Sequence, residues 1–122
     1  MVATGRSRSY VPDRGDVVWL QFIPQSGHEQ AGHRLALVIS PRSYNGRVGL
    51  AVFCPITSRI KGYPFEVELT SGSKAEGAIL SDQLKSLDWK ARQAKKFDSV
   101  SEEVMLEVLA RIGALVGLDQ PR

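Results

Sequence analysis

Short apolar or alternating runs, separated by turn residues, fill this chain up to about residue 100. Only beyond that point does the pattern change to a helical stripe. Residues 16–22 read Asp-Val-Val-Trp-Leu-Gln-Phe, rich in β-branched and aromatic side chains, and predict a first strand. Residues 23–32 predict a long loop. The apolar run at 34–40 predicts a buried second strand. Pro41 opens a turn region containing Asn45-Gly46, a dipeptide favoured in tight hairpins. A third strand is predicted at 48–55, a loop at 57–64, and a half-exposed fourth strand at 65–69, where Phe-Glu-Val-Glu-Leu alternates. Segments 77–80 and 87–91 are shorter strand candidates.

The helical part begins at Ser101, which can cap a helix, with Glu102 and Glu103 placed to complement its dipole. Val104, Val108, Leu109, Ile112, Leu115 and Val116 form one apolar stripe, Glu107 and Arg111 an i,i+4 pair, and Gly117 a stop. Many strands and one terminal helix predict an α+β, mainly β fold. The expected form is a small, twisted antiparallel sheet or half-barrel with the helix packed against it.

Length and charge narrow the class without naming a function. The 122 residues contain no repeat or linker, so a single domain is expected over 10–118, after a basic tail at 1–9. That tail carries Arg6 and Arg8 but no apolar centre, unlike a signal peptide. No run approaches the roughly 18 apolar residues of a membrane span. The lone Cys54 cannot form an intrachain disulfide, and a reducing cytoplasm is expected. A net charge of +3 permits an anionic partner without demanding one. His28 and His33 lie five apart with a single carboxylate between them, and neither Cys-x-x-Cys nor His-Glu-x-x-His occurs. Metal-independent chemistry with no cofactor is therefore expected.

Residues 27–34, Gly-His-Glu-Gln-Ala-Gly-His-Arg, pack five polar or ionisable side chains and two glycines in front of the second strand. A carboxylate, two imidazoles and a guanidinium together suit a phosphodiester, which has a negative centre and protons to move. The histidines could serve as acid and base or merely satisfy loop backbone. Glu29 is either a base oriented by Arg34 or half of a surface ion pair. Arg34 is either paired or directed at an anion, where its planar fork suits phosphate oxygens; its high pKa makes it a poor proton donor. Thr57, at a strand-to-loop switch, either holds a phosphate oxygen or bonds local backbone. Arg47, Arg59 and Lys61, with Trp19, Tyr63 and Phe65, supply charge and rings of the kind single-stranded nucleic acid needs; solvated lysines and core aromatics are the plainer reading. Lys90, Arg92, Lys95 and Lys96 make a second basic run, usual for a solvated face.

Six motifs then occur in order. They are Gly-His-Glu-Gln-x-Gly-His-Arg, an apolar strand ending in Ser-Pro, Tyr-Asn, Pro-x-Thr-Ser, Lys-Gly-Tyr-Pro-Phe-Glu-Val and Asp-Gln-x-Lys-Ser-x-x-Trp-x-x-Arg. From Tyr10 to about Leu118 the chain resembles the MazF branch of the MazF/PemK toxins of bacterial toxin–antitoxin systems. The resemblance implies an SH3-like, mostly antiparallel sheet with a C-terminal helix. It implies a cytoplasmic homodimer that cleaves single-stranded RNA at short specific sequences without a metal, leaving 2′,3′-cyclic phosphate and 5′-hydroxyl ends and so stopping translation and growth. It also implies a cognate acidic antitoxin, MazE-like, that blocks the RNA groove and joins the toxin in a DNA-binding complex.

Carried over residue by residue, the resemblance implies Glu29, Arg34 and Thr57 as catalytic residues. It implies His28, Gln30, His33, Ser58, Lys61, Asp82 and Gln83 around the RNA, with the loops at 42–49 and 58–64 shaping base preference. Two positions depart from the pattern. Leu35 stands where the family usually has proline, so the strand entry is either looser or gains a paired amide. Leu80 stands where the PemK branch carries a catalytic arginine, which favours a MazF-type site. The competing readings are a gyrase poison resembling CcdB, disfavoured because no tryptophan lies near residue 122, and a catalytically inactive RNA-binding relative.

Overall fold

The computed structural model describes residues 10–21, 33–70 and 72–118. Their strands are β1 (Asp16–Gln21), β2 (His33–Val38), β3 (Leu50–Thr57), β4 (Glu66–Glu68), β5 (Ala78–Leu80), β6 (Lys85–Asp88) and β7 (Lys95–Ser99). Two helices join them: α1 (Arg42–Val48) and α2 (Glu102–Leu115). The strands form one sheet in the order β4-β5-β3-β2-β1-β7, with β6 also on β3, and every pairing is antiparallel. Among the described residues β4 and β7 do not meet, so the expected antiparallel sheet is present as an open, twisted sheet and not as a closed barrel. No helix among the described residues is long and apolar enough to cross a membrane.

The long strand β3 organises the rest. One edge pairs with β2; the other pairs with β6 up to Phe53 and with β5 from Ile56 onward. Pro55, which has no N–H to give, falls in the gap between those two ladders. Both faces of the sheet are buried. On one, Val17, Leu37, Ile39, Cys54, Ile56 and Ile79 pack against Val104, Met105 and Val108 of α2. On the other, Val18, Leu20, Ala36, Val38, Ala51 and Phe53 pack around Trp89.

Two expectations are corrected. Asn45-Gly46 is not a hairpin turn but the middle of α1. Asn45 is fully buried: its amide donates to Pro12 O at 2.7 Å and Ser40 O at 2.9 Å, and its Oδ1 accepts from Ser40 Oγ at 2.6 Å. Its carbonyl accepts the Trp89 indole N–H at 2.9 Å. These distant partners override local turn preference, and Gly49 at φ +86° then closes the helix. The predicted strand at 87–91 is displaced to Lys85–Asp88, because Trp89 begins a turn whose Ala94 N–H bonds Trp89 O. Lys95 and Lys96 are exposed, as expected of a solvated face, and lie on β7, a strand the pattern did not predict; Lys96 pairs with Asp16 at 3.4 Å. As expected, Ser101 Oγ accepts the Val104 N–H at 3.1 Å, and Arg111 meets Glu107 at 3.1 Å. The far end of the stripe stays open, with Leu115 and Val116 exposed.

Candidate active site

Arg34 and Thr57 come from different strands and border one open groove of about 550 Å³. Arg34 is exposed near the start of β2, in register with Leu20 of β1. Among the described residues no ion pair engages it. Leu35 does not loosen the strand entry: it is paired with Trp19 in the β1–β2 ladder and packs against the core. Thr57 ends β3. Its Oγ1 accepts the Arg59 N–H at 3.0 Å, so the plain local-backbone role is real. A hydroxyl that accepts still has its own proton to donate, and that donor is left for a ligand. Leu35 and Ile56 provide apolar wall, while Trp19, Ser58, Arg59 and Glu76 complete the lining.

A smaller cavity of about 150 Å³ adjoins the first, since Thr57 and Arg59 line both. Lys61, Tyr63, Glu66, Leu80 and Gln83 complete it. Its loop is fastened at three points. The Glu66 carboxylate accepts the N–H of Lys61 at 3.1 Å and of Gly62 at 2.7 Å. The Tyr63 hydroxyl donates to Asp82 Oδ1 at 2.9 Å, and Arg111 Nε of α2 donates to Pro64 O at 2.9 Å. The Asp82 hydrogen bond, as the largest cause, holds the Tyr63 pKa above the usual phenol value.

The structure therefore brings Arg34, Thr57, Ser58, Lys61 and Gln83 onto one continuous surface. Asp82 reaches it through Tyr63. His33 is exposed at the start of β2, opposite Gln21, and lines neither cavity. His28, Glu29 and Gln30 lie outside the described residues. The segment 42–49, expected as a specificity loop, is α1 and its αL cap and also lines neither cavity.

Sequence reasoning missed Glu66, Glu76 and Gly77. Gly77 has φ +117°, and a Cβ there would lie 2.1 Å from Thr57 O. The backbone that carries Thr57 is thus braced by a position that must be glycine. An isolated glycine opening the strand candidate at 77–80 was the available signal. Cys54 takes no part. Burial foremost, with Asp82 adding to it, pushes its thiol up to about 12, the mark of an inert core cysteine.

Comparison with known proteins gives this geometry its context. Residues 13–116 match the family model described as PemK-like, MazF-like toxin of type II toxin-antitoxin system. The chain belongs to the PemK/MazF toxin family. It is 48% identical to the endoribonuclease toxin MazF of Escherichia coli K12 over 108 residues, 88% of this chain and 96% of that one. A crystal structure of MazF from Deinococcus radiodurans is 50% identical, superposes with a TM-score of 0.81, and is matched over 89% of this chain and 99% of that one. A MazE-MazF crystal structure from the same organism is 45% identical with a TM-score of 0.81, over 89% and 98% of the two chains. In this family member the groove lies between the start of β2 and the end of β3.

Proposed function

We propose that the protein is the endoribonuclease toxin of a type II toxin–antitoxin pair and cleaves single-stranded RNA without a metal ion. The observation that carries this reading is the shared groove, in which a guanidinium that no described residue pairs with and a threonine hydroxyl that accepts from Arg59 yet keeps a proton to donate stand on separate strands. The 2′-hydroxyl of the bound strand attacks the adjacent phosphorus. Arg34 stabilises the extra negative charge of the pentavalent phosphorus and of the departing 5′ oxygen, and Thr57 donates to a non-bridging oxygen. Glu29 takes the 2′-hydroxyl proton. Ser58 holds the strand in the groove, and Lys61 and Gln83, with Asp82 acting through Tyr63, hold it along the second cavity; His28, Gln30 and His33 are assigned to RNA contact as well. The departing 5′ oxygen takes a proton from water, so the products are a 2′,3′-cyclic phosphate and a 5′-hydroxyl.

A cytoplasmic homodimer is the working form, and an acidic MazE-like antitoxin silences it by occupying the groove. The exposed apolar side chains Leu106, Leu115, Val116 and Leu118 offer surface for such partners. The test is digestion of a long mixed RNA in excess EDTA. Fragments should carry 5′ ends that a polynucleotide kinase labels without prior phosphatase treatment. Activity lost on chelation, or 5′-phosphate ends, would overturn the mechanism.

A further inference from the structure

We propose that Trp19 forms a nucleobase subsite beside the scissile phosphate, where the base of a flanking nucleotide stacks on the indole. This rests on the RNA-cleaving reading and extends it. Five of the six residues of β1 are buried, and Trp19, in mid-strand, is 39% exposed. A large ring left open on an internal strand, between β2 and β7, needs a reason. The other tryptophan provides the contrast: Trp89 is 6% exposed and its indole N–H is satisfied by Asn45 O.

The ring is held for contact. Phe97 meets it edge-on, with centroids 5.7 Å apart and planes at 64°. That contact comes from a β-bulge. The β1–β7 register passes from Val17↔Asp98 to Val18↔Lys96, which leaves Phe97 as the extra residue of β7. A bulge re-aims a side chain, and here it brings the phenyl ring to the indole. The Lys74 ammonium stands 5.3 Å from the Phe97 centroid and steadies that ring in turn.

The neighbours select the ligand. Trp19 lines the same groove as Arg34 and Thr57, with Leu35 and Ile56 as apolar wall. Arg34 and Thr57 suit a phosphate; an indole beside leucine and isoleucine suits the π-face of a base. Arg59 in the same lining and Lys95, opposite Trp19 in the ladder, add positive charge for the flanking backbone. Stacking accepts any base, so Trp19 contributes affinity and strand placement more than base choice.

The test uses the full chain and a 2′-O-methyl RNA oligonucleotide that binds without being cut. Titration should quench the exposed indole, and the Trp19→Phe protein should lose that quench, since Trp89 is buried. Trp19→Leu should raise KM for cleavable RNA by about 5- to 100-fold with kcat changed less than about twofold, while Trp19→Phe retains most of the affinity. An unquenched indole, or an unchanged KM in Trp19→Leu, overturns the subsite. So does a Trp19→Leu protein whose defect is a shifted monomer–dimer balance in sedimentation, which would place the ring between two copies of the chain. A wild-type protein that cuts no RNA refutes the cleavage reading instead; the titration needs no cleavage and judges the subsite in either case.

Discussion

Arg34 and Thr57 border the same groove, yet the fold holds them in opposite ways. Arg34 rides at the start of a strand held by backbone pairing and by the buried Ala36, Leu37 and Val38, while its own side chain, opposite Leu20, is exposed and unpaired among the described residues. Thr57 is built into its surroundings. Its hydroxyl accepts from Arg59, its backbone pairs with Ala78, and its carbonyl lies so close to Gly77 that no side chain fits between them. One wall of the groove presents a charge that no described residue pairs with. The other presents a hydroxyl that the fold uses as well. A solvated guanidinium adds little to stability, so removing it tests the groove without testing the fold.

The largest effect expected from this contrast is that of Arg34→Ala. Cleavage should fall by more than about 10³-fold, the scale for losing a cation at a phosphoryl transition state, with the melting temperature unchanged. Undiminished cutting would remove Arg34 from the mechanism; a large loss of stability would refute the claim that it is free of the fold. Gly77→Ala comes next and strikes the opposite wall without touching a reacting group. The new methyl would meet backbone 2.1 Å away at a positive φ, so Thr57 must shift. A stability loss of about 3 kcal/mol in denaturant unfolding, together with weakened cleavage, is expected. A fully stable variant would mean that the brace is unimportant. Thr57→Ala is smaller on both counts: about 10² in rate and about 1 kcal/mol in stability. Wild-type rates with only the stability loss would return Thr57 to a purely local backbone role.

How much of this was legible in the sequence follows the same division. Strand β1, the apolar part of β2 and the capped helix α2 are encoded locally, by side-chain period and by Ser101, and the structure has them. Helix α1 was not legible. Asn45-Gly46 is a turn signal to its neighbours, and only Pro12, Ser40 and Trp89, remote in sequence or buried beneath it, make it helical. Strand β7 was hidden for a related reason: a run of lysines reads as solvated surface until Asp16 and Trp19 appear across the ladder. At the site, Arg34 and Thr57 stood out by residue type and motif. Glu66, Glu76 and Gly77 did not, because their roles exist only once β3, β4 and β5 lie side by side. Residue types announce chemistry, while the supports for that chemistry are read only from pairing.

The smallest predicted effect probes one such support. Asp98 of β7 accepts the N–H of Lys74 at 2.8 Å and of Ala75 at 3.3 Å, tying down the turn that leads into Gly77. Its carboxyl is held below the ordinary value, first by the Ser99 backbone N–H and then by those of Ala75 and Lys74, against partial burial. A depressed carboxylate means that the unfolded chain binds more protons than the folded one as the pH drops. Its contribution is therefore complete above the ordinary carboxylate value of 3.8 and is lost as the pH falls through that value toward the lower folded one. Asp98→Asn should cost under about 1 kcal/mol at pH 7, since the amide oxygen can still accept these bonds without the charge. Between pH 5 and pH 3, on the order of the carboxylate range, wild type should lose stability faster than the variant, so the two denaturation curves converge. Curves that run parallel would show that the tie is not made by the ionised carboxylate. Cleavage that tracks the tie at pH 7 would show that Thr57's wall depends on β7 as well as on Gly77.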